Sequence, residues 1–319
     1  MPAGALQLPC PVPVRWELLQ QVALPRTGLD GERIGGFSAA VFDGSSAELL
    51  LLSDLPRGSV TVWGGLGETR DGGATPRLRS TLPLQRDPMD GEGLVRLHGQ
   101  LWVASEGRRT ADRPAELLRF DGASGQLLQS LALPPAWQPS EGAGLAANAG
   151  PESLTAWHQP DGVPVLLMAA EQPLLQDPPR HVRLLRWQWQ AGQDFLRLAP
   201  TAVPQGALLL PHGEQWGLTD LLVLHPSGQL LALLRQFQFP NQWQIRLALY
   251  PIPDPLQARP AAPLAQWDLL ASGLEPDNWE ALASGPSLAD GTPVLLAVSD
   301  DNLSPLQANR LALLAPRCS

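Results

Sequence analysis

Eight carboxylates recur at matching places in the 319-residue sequence. Glu92, Glu152, Asp220 and Glu280 each open an apolar run, and Asp54, Glu106, Glu171 and Asp300 each close the apolar run that follows a turn. Brought to one place, these acids cannot all stay ionised unless a cation or a shifted proton relieves them. An all-oxygen donor set of this kind suits a hard divalent ion, Ca²⁺ first. Glu92, Glu152, Glu280 and Asp300 are the candidate catalytic group, expected within one cation-sized neighbourhood. The eight acids together are the candidate metal ligands. The competing reading, for any one of them, is a turn cap or a bond to backbone amides at a junction between repeats.

The elements that must carry these acids are β-hairpins. The fullest is Gly273–Asn302: an acidic opening with Glu275, Asp277, Asn278 and Glu280, a short apolar stretch, a Gly/Pro/Ser/Asp/Gly turn, then Val294–Val298 and the ending Ser299-Asp300-Asp301-Asn302. Gly and Asp mark a reversal, and the branched run with period-2 character marks a strand. A hairpin brings its ends together, so Glu280 and Asp300 are expected as neighbours. The same sentence recurs from Gly36, Glu92, Glu152 and Gly217, at spacings of 56 to 65 residues. Arg235 stands where the fourth copy would close on an acid. Self-similarity at a nearly fixed period indicates a repeat architecture and outweighs the length prior of two domains.

Each repeat has room for four strands, except the last, which has three. The lone segment Trp16–Leu24 supplies the missing strand. That is the closure of an all-β propeller, five four-stranded blades with no open sheet edge, although a sixth could hide in a long loop. The expected layout is an extended arm over residues 1–13 and one propeller domain over 14–316. Phe195–Ala199 is read as the outer strand of the third blade. The loops Gly64–Gly73, Gly107–Pro114 and Gly142–Gly150 are lids or connectors. In a propeller the first strand of each blade lines the central channel, so the eight acids would meet at one channel mouth.

Composition narrows the chemistry. The formal net charge is −9 and there is no lysine, which argues against nucleic acid and anionic membrane as partners and excludes Schiff-base lysine chemistry. No run reaches 18 apolar residues, so no membrane-spanning helix is expected. The N-terminus as given lacks a basic n-region and a leucine-rich h-region. A trimmed secreted or periplasmic protein would look the same, and the location otherwise expected is the cytoplasm. A monomer is expected. Five histidines (His98, His158, His181, His212, His225) show no zinc spacing. The nearest approach to a serine-hydrolase elbow, Gly36-Phe37-Ser38, lies inside a strand repeat and reads as a small innermost residue. Trp187 and Trp189 have the spacing of one strand face and read as inter-blade packing.

Gly36-Phe-Ser…Ser53-Asp54, Asp90-Gly-Glu-Gly-Leu…Ser105-Glu106, Asn148-Ala-Gly-Pro-Glu152-Ser-Leu, Gly217-Leu-Thr-Asp220 and Asp277-Asn-Trp-Glu280-Ala-Leu…Ser299-Asp-Asp-Asn302 together resemble the phytase-like family described as having esterase-like activity. The resemblance runs from about Gly36 to Leu314. It implies a propeller related to calcium-dependent alkaline phytases, which hydrolyse phosphate esters with channel-bound calcium. Those phytases hold phosphate with lysines and tyrosines, whereas this chain has no lysine and one tyrosine, Tyr250. Arg57, Arg108, Arg109 and Arg235 are the candidate substitutes, since arginine grips phosphate through two parallel N–H bonds. Arg108 and Arg109 could equally be a solvated loop pair.

Two function classes stay open. One is a metal-dependent hydrolase of phosphate or carboxylate esters, acting on a small anionic or ester substrate. The other is a non-catalytic propeller that binds a ligand or protein and keeps calcium for structure. A lactonase-type calcium propeller is a third. The only cysteines, Cys10 and Cys318, sit at the two ends. If Trp16–Leu24 pairs with Arg310–Leu314, both cysteines reach one edge and can form a disulfide in an oxidising compartment; in the cytoplasm two free thiols are expected.

Overall fold

Runs such as Leu49–Leu52 and Val165–Ala170 are apolar at every position, so they are stable only with both faces covered. Runs such as Leu127–Ala132 mix polar residues with the apolar ones and need cover on one face only. The structure, a computed structural model, describes residues 6–66, 73–108, 110, 113–213, 216–224, 227–240, 242–257 and 259–318. It places the first kind of run inside the sheets and the second kind on the periphery.

Strand β1 (Arg15–Ala23) precedes the first full sheet. Blade 1 is β2 (Phe37–Asp43), β3 (Glu48–Ser53), β4 (Ser59–Gly64) and β5 (Arg77–Pro83). Blade 2 is β6 (Gly91–Leu97), β7 (Gln100–Ser105), β8 (Glu116–Asp121) and β9 (Leu127–Ala132). Blade 3 is β10 (Pro151–His158), β11 (Pro164–Ala170), β12 (His181–Gln188) and β13 (Thr201–Leu209). Blade 4 is β14 (Gly217–Leu224), β15 (Gln229–Gln238), β16 (Gln242–Pro251) and β17 (Ala265–Asp268). Blade 5 is β18 (Asn278–Ser284), β19 (Leu295–Asp300) and β20 (Arg310–Arg317), completed on its outer side by β1.

The fold is thus an all-β propeller of five four-stranded antiparallel blades. Among the described residues the one helical turn is a 3₁₀ segment at Pro135–Trp137, and no helix is long and apolar enough to cross a membrane. The ring is shut as expected: β1 pairs antiparallel with β20, Arg15 opposite Arg317 and Ala23 opposite Arg310. Cys10 and Cys318 are bonded, with Cα atoms 6.1 Å apart.

The outer strand of blade 3 differs from expectation. It runs over Thr201–Leu209 rather than Phe195–Ala199, although it contains Pro204 and Gly206. Proline is admitted on an outermost strand, where its missing N–H faces no partner. Residues 195–199 instead form turns, and Phe195 packs on His98 with ring centroids 4.8 Å apart.

The core is divided into five parts, each between consecutive blades. Phe37 and Trp63 pack against Ala281 and Leu296 between blades 1 and 5, and Leu52 and Phe120 meet between blades 1 and 2. Trp102, Trp187 and Trp189 fill the space between blades 2 and 3. Leu218 and Tyr250 pack with Leu184 between blades 3 and 4, and Trp16 and Trp279 lie between blades 4 and 5. Trp187 and Trp189 therefore serve inter-blade packing, as their spacing suggested.

Candidate active site

The inner strand of every blade carries a β-bulge at the same place. Pairing with the second strand skips one residue: Ser38, Glu92, Glu152, Thr219 and Glu280 in blades 1 to 5. A bulge leaves its extra residue unpaired and re-aims its side chain. One residue beyond the pair that precedes each bulge, the second strand contributes Asp54, Glu106, Glu171, Arg235 and Asp300, the last two opposite Gly217 and Asn278. The channel mouth is therefore built from two stacked sets of five equivalent positions.

The three glutamates of the first set and all five members of the second line one cavity of about 530 Å³. Asp90, Arg108, Asn148, Asn278 and Asn302 complete its polar wall. Ser38 and Thr219 take a different part. Ser38 Oγ donates to the Gly91 carbonyl at 2.5 Å, and Thr219 Oγ1 to the Trp279 carbonyl at 3.3 Å. Each thus clips its blade to the residue just before the next blade's bulge. Gly93, directly after a bulge, shows how close the inner strands come: a Cβ there would lie 2.7 Å from the backbone nitrogen of Leu154.

The bulge also moves Asp220. Sequence register put it with the three glutamates, but Thr219 holds that position. Asp220 points sideways into the junction, where Oδ2 accepts the Leu282 amide of blade 5 at 2.6 Å and Oδ1 accepts the Leu221 amide at 2.7 Å. It is a buried backbone clamp outside the cavity. The other seven expected acids line the mouth. They are spread over the cavity wall rather than gathered around one ion: among the described residues, no three acidic, His or Cys side chains are grouped closely enough to hold a metal. Part of the reason is Arg235, whose guanidinium draws Glu280 and Glu171 to itself.

Of the expected anion-binding arginines, Arg108 and Arg235 line the cavity. Arg57 lies away from it, with a side chain 91% exposed and an ion pair to Asp87 at 3.4 Å. Arg109, like His225 and most of the Gly64–Gly73 loop, lies outside the described residues. The Gly107–Pro114 and Gly142–Gly150 loops reach the rim through Arg108 and Asn148. Tyr250 is remote, donating to the Leu209 carbonyl at 3.0 Å. His98 and His158 pack together with centroids 5.9 Å apart, at the hairpin-turn end of the inner strands of blades 2 and 3.

Arg235 is the electrostatic centre. It donates through Nη1 to Asn278 Oδ1 and Glu280 Oε1, and Nη2 lies 3.5 Å from Glu171. Burial alone would make it easier to deprotonate, but Glu280, Glu171 and Glu152 overcome this and hold it protonated. Asn278 Nδ2 adds bonds to Glu280 at 2.7 Å and Asp300 at 3.3 Å. One guanidinium cannot serve the whole set. Burial, and then Glu152 and Glu280, push Glu92 well above the usual carboxylate range; burial, and then Glu171 and Glu106, do the same to Glu152. Burial with Glu280 and Asp90 raises Asp54 to about 7, and burial with Glu280 and Asp54 raises Asp300 to about 8. Burial also lifts Glu106 to about 7, although the Gly150 amide donates to it at 2.8 Å and pulls the other way.

A pH dependence follows for protein kept in chelator. Unfolded carboxylates titrate near 4. Between there and folded values of about 7 to 8, the native state binds more protons than the unfolded state. Unfolding free energy therefore falls as pH rises. This contribution is fully present below about pH 4 and lost by about pH 9. The melting temperature in EDTA is expected to be higher at pH 5.5 than at pH 8.5, with a flatter profile in Glu92→Gln/Glu152→Gln. Equal slopes for the two proteins would refute the electrostatic account of the mouth.

A family model described as phytase-like, esterase-like activity of phytase, matches residues 32–303. No curated protein matches. Among solved structures, a protein of unknown function from Dyadobacter fermentans is similar at 13% identity and a TM-score of 0.45, covering 95% of this chain and 100% of its own. A Bombyx mori β-fructofuranosidase in complex with sucrose is similar at 12% identity and a TM-score of 0.47, covering 84% of this chain and 56% of its own. An exo-1,5-α-L-arabinanase from a bovine ruminal metagenomic library is similar at 10% identity and a TM-score of 0.44, covering 86% of this chain and 91% of its own.

Proposed function

The chain belongs to the phytase-like family with esterase-like activity of phytase, and from that premise we propose that its acidic channel mouth is a hydrolytic site for phosphate or carboxylate esters, working with a bound divalent cation for which Ca²⁺ is the expected ion. The observation that carries this reading is the convergence of the three bulge glutamates and all five second-strand positions on one 530 Å³ cavity, with eight carboxylates facing two arginines, Arg108 and Arg235.

The donor chemistry fits a hard cation. The lining acids offer only oxygen, and burial and then mutual repulsion disfavour their charged forms, a repulsion that a cation would relieve. Because the acids are spread over the wall, such an ion would have to draw its ligands inward from Glu92, Glu152, Asp54, Glu106 and Asp300, while Glu171 and Glu280 remain tied to Arg235. When bound, such an ion supplies Lewis acidity toward the ester and lowers the pKa of water. Asp54, Glu106 and Asp300, with proton affinities near neutrality, are suited to take or give a proton where they are not engaged by the ion. Arg108 lies on the rim, where it would steady an anionic substrate or leaving group, and Arg235 orients Glu280 from below.

The test is hydrolysis of p-nitrophenyl phosphate and p-nitrophenyl butyrate by chelated protein, with Ca²⁺, Mg²⁺ or Mn²⁺ restored one at a time. Calcium-dependent turnover of one ester is expected, reduced about 10²-fold or more in Glu152→Gln, in line with losing a main electrostatic group. Activity indifferent to chelation and to Glu152→Gln would refute the site. Calcium binding without turnover of either ester would favour the ligand-binding propeller instead.

A further inference from the structure

Below the acidic mouth the channel changes character. Side chains alternate along a strand, so the positions two residues beyond each bulge also face the channel. They are Ala40, Leu94, Leu154, Leu221 and Leu282, an apolar layer closing the floor of the acidic cavity. Two residues further, the wall is formed by Phe42, Arg96, Ala156, Val223 and Ser284. Together they enclose a second cavity of about 310 Å³ that opens at the opposite face of the disc, beside His158 and Gln159.

A channel open to water has no need of apolar walls, since polar side chains there would cost nothing. Here the lining is apolar, and the space exists because small residues stand at Ala40, Ala156 and Ser284; leucine at these places would fill it. A concave, mainly apolar pocket of this size with few polar groups has the form of a small-molecule site. Its one charged lining residue among those described is Arg96, whose Nη1 lies 2.9 Å from Asp43. Asp43 is itself fixed by the Ser45 amide at 2.9 Å and hydroxyl at 2.6 Å. That pair anchors the guanidinium at the wall, and an arginine has five N–H donors, more than one carboxylate contact uses. Burial and the neighbouring His98 keep His158 from protonating readily, so Arg96 is the cation of the cup at neutral pH.

We propose that this cup is a second binding site, separate from the hydrolytic mouth, for a compact apolar molecule of about two fused rings in size that carries one anionic group held by Arg96.

The probe is 1-anilinonaphthalene-8-sulfonate, with uncharged N-phenyl-1-naphthylamine as its counterpart, titrated by fluorescence into native protein with an intact melting transition. Saturable 1:1 binding of the sulfonate is expected. Arg96→Gln should weaken the sulfonate at least tenfold and shift the uncharged probe less than twofold. Ala156→Trp, which fills the cup, should abolish both. If Ala156→Trp does not melt cooperatively, Ser284→Trp fills the same space from blade 5. Absence of saturable binding, binding that survives the filled cup, or equal effects of Arg96→Gln on both probes would overturn the proposal. Ester hydrolysis at the other mouth is expected to be unchanged in Arg96→Gln, so failure of that activity would not bear on this site.

Discussion

Arg235→Met is expected to lower the unfolding free energy of chelated protein by about 3–5 kcal/mol at pH 8, the usual cost of leaving buried charge without its partner. Methionine keeps most of the side chain's length and apolar contact, so the loss reports charge. Arg235 is 17% exposed at its side chain and is the shared partner of Glu280 and Glu171. Without it those two carboxylates join Glu92 and Glu152 in an uncompensated cluster. The cost should shrink toward pH 5, where Asp54, Glu106 and Asp300, with folded values of about 7 to 8, are protonated and leave less negative charge around the vacated guanidinium. Chemical denaturation at both pH values measures this. A variant with wild-type midpoints at pH 8 would show that the acids are neutralised by proton uptake alone.

The second large effect is expected from Cys10→Ser/Cys318→Ser. The bond closes a loop with a sequence separation of 308. Loop-closure entropy assigns more than about 4 kcal/mol to a loop of that size. The variant should remain a propeller, because the β1–β20 ladder and the packing of Trp16 in the seam between blades 4 and 5 are independent of the sulfurs. Its denaturation midpoint should fall well below that of the oxidised protein. Identical midpoints would mean that the ladder alone closes the ring.

Much of this arrangement was legible in the sequence because the repeat carries its own register. Gly-Phe-Ser…Ser-Asp in blade 1 and Asn-Trp-Glu…Ser-Asp in blade 5 mark equivalent positions, and the unpaired first strand required closure. The acids at the ends of the second strands kept their places, since those ends lie at a rim and suffer no slip. Asp220 misled for a definite reason. A bulge shifts side-chain parity by one residue, and Gly217-Leu-Thr-Asp contains both a polar residue at the bulge and an acid just after it. Spacing to the neighbouring glutamates cannot separate Thr219 from Asp220; the accepted Leu282 amide can. Asp90 entered only as the first residue of the Asp90-Gly-Glu-Gly-Leu motif and not as a site residue, although it lines the cavity. Arg57 was expected to grip an anion because arginine suits phosphate, but it points outward and pairs with Asp87. The apolar cup was also hidden, because Leu154 and Ala156 read as ordinary core until five strands are set around a common axis.

The closure has a mechanical consequence. In the β1–β20 ladder, both chain ends emerge at the same end, where Arg15 faces Arg317. Tension applied to the two termini would peel such a ladder open pair by pair, the weakest direction in which to pull antiparallel strands. The Cys10–Cys318 bond lies just outside the first of those pairs. In the oxidised molecule, tension entering at one tail leaves at the other through two sulfur atoms, and all five blades stand outside its path. Reduction puts the whole ring back into it, with blade 5 the first to unzip.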